Sequence, residues 1–290
     1  MLRPLAIFLL LAATAPALGR VGPEVAYSTG KEIYLISPNG AGKLRIYQSR
    51  GNAFVSSVSL KKDGGAAALV DNWVVKFITF TASGQQIGPV RSIPTCYRSA
   101  DVNYRPGVDA VIYHELCGQD HFIKLVAVPS EANPTPTPQL LVSNRYIIDV
   151  GSWDATGVSF VYTVSNEIGW EVRRHFLSGE DVLIVAKSSP GPQLRHPSMS
   201  PDGSRVLAAD WNGTNKSADT GYIDEYAVAS GNSVRSNFIS GQRADYAPLD
   251  GRVVFIEKEG RTQFLRYLDT DGLTKQIGGS GIFYDVDWGD

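Results

Sequence analysis

Charge is scarce in this chain. Asp, Glu, Lys and Arg make up 19% of its 290 residues, and the two signs nearly cancel to a net charge of −2. So few charged residues exclude long solvated helices and coiled coils, and no basic stripe is present to suit a nucleic-acid partner. Cysteine occurs twice and histidine four times. No apolar run reaches the roughly 20 residues that a membrane-spanning helix requires. No phosphate loop is present. The closest text to a Gly-x-Ser-x-Gly nucleophile elbow is Gly278-Gly-Ser-Gly281, which has the wrong spacing and is expected, like Asp63-Gly-Gly65, to be a hairpin turn.

What the chain does have is punctuation. Its 29 glycines and 16 prolines are spread along its length, as many short strands joined by turns require. The N-terminus carries Arg3, an apolar run from Leu5 to Ala13, and small residues through Ala15-Pro-Ala17 and Ala17-Leu-Gly19. This is the pattern of a secretory signal peptide over residues 1–19, which leaves 20–290 as one domain in the periplasm or outside the cell, with no transmembrane segment after cleavage. An oxidising compartment suits a disulfide between Cys96 and Cys117, which are symmetric about the turn at Pro106-Gly107.

A degenerate repeat runs through the domain. Its clearest copy is His196-Pro-Ser-Met-Ser-Pro-Asp-Gly-Ser-Arg-Val-Leu-Ala-Ala-Asp210, a short strand, a type I turn and a second strand. Weaker copies lie at 58–70, 102–114, 151–163 and 246–257. Leu60, Tyr104, Trp153, Met199, Tyr246 and Trp288 serve as equivalent anchors, spaced by 44, 49, 46, 47 and 42 residues, close to the period of four-stranded propeller blades. The chain ends with the opening of a unit, Asp285–Asp290, and begins after the leader with Glu24–Ser28, a second strand lacking a first. The expected fold is therefore all-β: a six-bladed β-propeller of four-stranded antiparallel blades. Its ring would close by pairing the C-terminal strand with the N-terminal blade, removing an open sheet edge.

Pro197-Ser-Met-Ser-Pro-Asp-Gly203, together with Ile33-Tyr34 and Asp287-Trp288, resembles the repeats of TolB-type (WD40-like) β-propellers. The resemblance covers the pattern from about residue 22 to 290. It implies a propeller domain without the amino-terminal α/β domain of TolB, in a family rich in periplasmic protein–protein contacts.

The residues expected just before each innermost strand give the candidate site. Ser57, Asp101, Asp149, His196, Asp245 and Asp285 are expected to gather at one mouth of the central channel. Clustered carboxylates there would raise one another's pKa, recruit a divalent cation, or receive a cationic peptide. The plainer reading is that they accept hydrogen bonds from neighbouring backbone N–H groups. His114, Glu115, Asp120 and His121 are expected on a surface loop, with a metal site as the sharper alternative, and His175 is expected to face solvent. Two functions follow. The first is a monomeric envelope module that binds a protein or ligand, with another envelope or extracellular protein as partner. The second is an enzyme acting on carbohydrate through the mouth carboxylates, with Trp170 or Trp211 stacking on sugar rings.

Overall fold

The computed structural model describes residues 24–61, 64–189, 191–211, 221–260 and 262–289. The expected leader lies outside them, as do Asn212-Gly-Thr214 and Asn215-Lys-Ser217, which match the glycosylation acceptor pattern. The described residues form 24 strands in six four-stranded antiparallel sheets and no helix. The protein is a six-bladed β-propeller.

Blade 1 holds β1 (Glu24–Ser28), β2 (Glu32–Ile36), β3 (Leu44–Gln48) and the C-terminal β24 (Asp285–Gly289). Blade 2 is β4 (Val55–Leu60), β5 (Ala66–Asp71), β6 (Val74–Phe80) and β7 (Gln86–Ser92). Blade 3 is β8 (Arg98–Tyr104), β9 (Ala110–Cys117), β10 (Asp120–Ala127) and β11 (Gln139–Ser143). Blade 4 is β12 (Ile147–Trp153), β13 (Ser159–Ser165), β14 (Gly169–Phe176) and β15 (Asp181–Ser188). Blade 5 is β16 (Gln193–Met199), β17 (Arg205–Trp211), β18 (Tyr222–Ala227) and β19 (Ser233–Ser240). Blade 6 is β20 (Arg243–Tyr246), β21 (Val253–Glu259), β22 (Thr262–Leu268) and β23 (Thr274–Gly281).

The strand types differ because their surroundings do. The second strand of each blade is covered on both faces, so β5 reads Ala-Ala-Ala-Leu-Val-Asp with little alternation and β13 is buried from Ser159 to Val164. The fourth strands meet solvent, and β7 is mostly exposed. Six apolar clusters fill the seams, each shared by two neighbouring blades. Between blades 2 and 3, for example, Ala68, Val70 and Phe77 meet Val102, Tyr104 and Tyr113. All six anchors are buried. The innermost strands touch in a continuous cycle, β4 to β8, β12, β16, β20, β24 and back to β4. Within blade 1, β24 pairs antiparallel with β1, matching Trp288 to Val25 and Val286 to Tyr27.

Candidate functional site at the channel mouth

The innermost strands present polar side chains to the channel, and most of those side chains reach the next blade. Asp285 of blade 1 accepts the backbone N–H of Val58 in blade 2 at 2.8 Å. Ser57 of blade 2 accepts from Val102 in blade 3 at 3.3 Å, and Asp101 of blade 3 accepts from Val150 in blade 4 at 3.2 Å. Asp149 of blade 4 accepts from His196 in blade 5 at 3.1 Å. A second layer lies deeper. Asp287 accepts from Leu60 at 2.8 Å, Ser59 from Tyr104 at 3.1 Å and Ser152 from Met199 at 2.8 Å. Ser198 accepts from Tyr246 at 3.3 Å and Asp245 from Trp288 at 2.9 Å. Every seam is bridged in the same rotational sense by a side chain of one blade accepting from the backbone of the next, and Asn103 reaches the same way as a donor, to the Val150 carbonyl at 3.2 Å. These N–H groups lie on innermost strands that have no further strand on the channel side, so the side chains supply what a β-ladder otherwise would. Gly151 belongs to this arrangement, because a Cβ there would fall 1.8 Å from the Pro197 carbonyl oxygen.

The mouth is not purely acidic. Two arginines that the acidic pattern did not bring out stand among the carboxylates. Arg195 grips Asp149 with Nε at 2.6 Å and Nη2 at 3.1 Å, and Arg243 pairs with Asp285. Against burial, which works to raise it, His196, then Arg195 and Arg243, hold the Asp149 carboxyl well below its usual range. Asp101 has no guanidinium of its own. Burial, with Asp149 and Asp285 nearby, raises it to about 7. His196 is lowered to about 3, chiefly by burial and then by Arg243. The deeper Asp287 is pushed well above the normal carboxylate range by burial and by Asp245.

The placement differs from expectation in several respects. The mouth residues lie within the innermost strands rather than before them. Asp245 sits in the deeper layer, and Arg243 takes the mouth position in blade 6. Counting back from the anchors would have found it: Ser57, Asp101, His196, Arg243 and Asp285 each precede their anchor by three residues. Asp149 precedes Trp153 by four, and β12 absorbs the extra residue in register shifts against β13. His196 sits at φ 47° inside β16, at a second such irregularity. The upper end of the channel, lined by Ser57, Asp101, His196, Arg243 and Asp285, encloses about 50 Å³, and the deeper end a similar volume. That is room for a few waters and not for a sugar ring.

The histidines are also corrected. His114 and Glu115 lie in β9 and are buried, not on a loop. His114 Nε2 lies 3.1 Å from His121 Nδ1, and burial lowers His114 to about 4. Glu115, next along the strand, pairs with Lys124 and accepts the Cys96 N–H at 2.7 Å. The four residues do not converge, and among the described residues no three His, Cys, Asp or Glu come together as metal ligands. His175 is 5% exposed and packs against Phe160 rather than facing solvent. Cys96 and Cys117 are disulfide-bonded with Cα atoms 5.5 Å apart. Trp170 is partly buried against the seam between blades 4 and 5, with Arg195 near its ring.

The rim of the mouth carries two groups of aromatic side chains. Phe54 and Tyr284 precede the innermost strands of blades 2 and 1 and meet edge to face, 4.5 Å between centroids. The Phe54 carbonyl accepts from Asn72 N–H at 2.9 Å, and Trp73 follows. The Arg98 guanidinium lies 4.9 Å from the Trp73 ring and 4.8 Å from the Tyr97 ring. Trp73 is 46% exposed and Tyr97 63%. Asn72 and Trp73 form the β5–β6 turn with φ of 51° and 68°. A tight hairpin favours glycine at the second of these positions, and a bulky residue there is strained by about 1–3 kcal/mol.

Comparison with solved structures agrees with this architecture. The chain is similar to a protein assigned as TolB from Agrobacterium tumefaciens (TM-score 0.66, 13% identity, 90% of each chain covered). It is also similar to TolB from Acinetobacter baumannii (TM-score 0.67, 14% identity, 92% of this chain and 66% of that one). A chain of a nidogen–laminin complex aligns as well, with TM-score 0.66, 7% identity, and 93% and 99% covered. At these identities the likeness is one of fold. No family profile matches the chain, and no curated protein does either.

Proposed function

We propose that this protein is an exported binding module whose mouth rim engages a protein partner. The observation that carries this reading is the rim group of Trp73 and Tyr97 with Arg98 near both rings, beside the Tyr284–Phe54 pair. Exposed aromatic residues with an arginine are what protein interfaces concentrate at their energetic centres. Trp73 keeps an exposed indole at a strained turn position, which folding alone does not call for. The disulfide suits an oxidising compartment, and the leader pattern of residues 1–19 supplies the route to it. The similarity in fold to TolB and to a chain of a nidogen–laminin complex is in keeping with a protein partner. The carboxylates that a carbohydrate-cleaving enzyme would need are engaged by backbone N–H groups and arginines around a channel that holds only a few waters.

The test uses a photo-crosslinking amino acid at Tyr97 on the rim and, separately, at Leu249, which is exposed on the opposite face. A protein captured in the native envelope from position 97 and not from 249 is expected. Trp73→Gly removes the indole while relaxing the turn, so it should abolish capture and leave the melting temperature equal or higher. Equal capture from both faces, or capture unchanged by Trp73→Gly, would overturn the reading.

A further inference from the structure

The largest cavity described lies away from the channel, in the seam between blades 6 and 1. It encloses about 350 Å³, against about 50 Å³ at either end of the channel. Its origin is legible in the chain. Gly278-Gly-Ser-Gly281 does not form the expected turn; it lies in the outermost strand, β23. Other outer strands send two apolar side chains into a seam, as β15 does with Ile184 and Val185 and β3 with Ile46 and Tyr47. From β23 only Ile277 enters one. A Cβ built at Gly278 would point at Ile36, 3.4 Å from its Cδ1, and one at Gly281 would meet the Phe283 ring at 3.4 Å. Ile36 and Phe283 are both cavity walls, so the side chains missing from β23 are the ones that would have filled the space.

The remaining walls have a defined chemistry. Tyr27 stacks on Tyr34 at 5.5 Å and 20°, and Phe283 stands edge-on to Tyr27 at 5.3 Å. Lys43 Nζ lies 4.1 Å above the Tyr34 ring and 5.7 Å from Tyr27. Among the described residues no carboxylate lies within ion-pair distance of Lys43; the nearby Glu32 is taken by the Tyr34 hydroxyl at 2.6 Å and Arg45 at 2.7 Å. The cavity therefore combines aromatic and aliphatic walls with one cation at its edge that rests on the Tyr34 ring without an ion-pair partner among the described residues. Its volume falls at the lower end of small-molecule sites, about 300–1,000 Å³. A flat ring fits against Tyr27 and Phe283 by offset or edge contact, and a carboxylate fits Lys43.

We propose that this seam cavity binds a small planar aromatic carboxylate, with its ring between the Tyr27–Phe283 wall and the glycine run of β23 and its carboxylate on Lys43. The site is separate from the mouth rim and does not depend on the partner reading above.

The experiment titrates the mature protein with 2-naphthoate and, in parallel, with neutral 2-naphthalenemethanol, by calorimetry and thermal shift. Saturable binding of one naphthoate per chain is expected, at least tenfold tighter than the alcohol. Lys43→Gln, at an exposed position, should erase that tenfold preference and leave the weak binding of the alcohol in place. Gly281 has no positive φ, so Gly281→Leu should fill the cavity, abolish binding of both probes, and hold or raise the melting temperature of the free protein. The proposal fails if the wild type shows no saturable naphthoate binding at millimolar concentration, or if Lys43→Gln leaves the preference for the anion unchanged. Should Gly281→Leu misfold, the Lys43→Gln comparison alone decides.

Discussion

Asp101 shows how a single buried residue governs a pH response. The carboxylates of Asp149 and Asp285 are each held by an arginine, whereas Asp101 accepts only the Val150 N–H, with His114 Nδ1 4.0 Å away. Its native pKa is raised from 3.8 to about 7. Between those values the native state keeps a proton that the unfolded chain has lost, so this group's contribution to stability falls as pH rises through the window. Asp149, His114 and His196 act in the opposite sense. Their pKa values are depressed in the native state, so the stability they contribute is lost as pH falls through those lowered values. Asp101→Asn keeps an acceptor for Val150 and removes the titration. Its stability relative to wild type should therefore rise between pH 5 and pH 8.5, by about 2–3 kcal/mol, read as a melting-temperature offset that grows by roughly 4–12 °C. An offset equal at both pH values would show that Asp101 does not change charge there.

At the scale of strands, the bridges across the seams bear on how the blades hold one another. Asp149 carries the heaviest load, accepting from Arg195 and from the His196 backbone at once. Asp149→Ala would leave the Arg195 guanidinium largely buried and unpaired, a loss of about 3–5 kcal/mol, whereas replacing both charges with apolar groups costs much less. In urea unfolding, Asp149→Ala/Arg195→Met is thus expected to be more stable than Asp149→Ala alone. The reverse order would mean that the His196 N–H, and not the ion pair, is what Asp149 serves. The strands themselves were legible in the sequence because turn residues and anchor spacing are local signals. The site was less so. Asp245 is acidic like most of the mouth residues but precedes Tyr246 by one residue, where the offset of three falls on Arg243. The extra residue in β12 and the left-handed His196 in β16 leave no local mark. His114 and His175 are polar residues inside a core, and Gly278–Gly281 carries turn-like composition in a strand; in each case the neighbouring blade, remote in sequence, decides.

At the scale of the whole molecule, two devices tie the blades together: the bridges at all six seams and the shared blade in which β24 lies beside β1. They are separable by circular permutation. Gly289 and Glu24 are paired across the β24–β1 ladder, so a short hairpin linker can join the C-terminus to the start of the domain. New termini placed in the turn at Gly51-Asn52 then give a chain in which every blade is contiguous, while the side-chain bridges stay intact. If the shared blade is the main fastening, the permutant should fold with an unchanged far-UV spectrum but unfold at least tenfold faster, because one seam can now open without breaking a ladder of β-strand hydrogen bonds. If the bridges are sufficient, its unfolding rate will match that of the natural chain order. In that case adding Asp285→Ala, which frees the Val58 N–H and the Arg243 guanidinium at the seam between blades 1 and 2, should accelerate unfolding of the permutant more than of the parent.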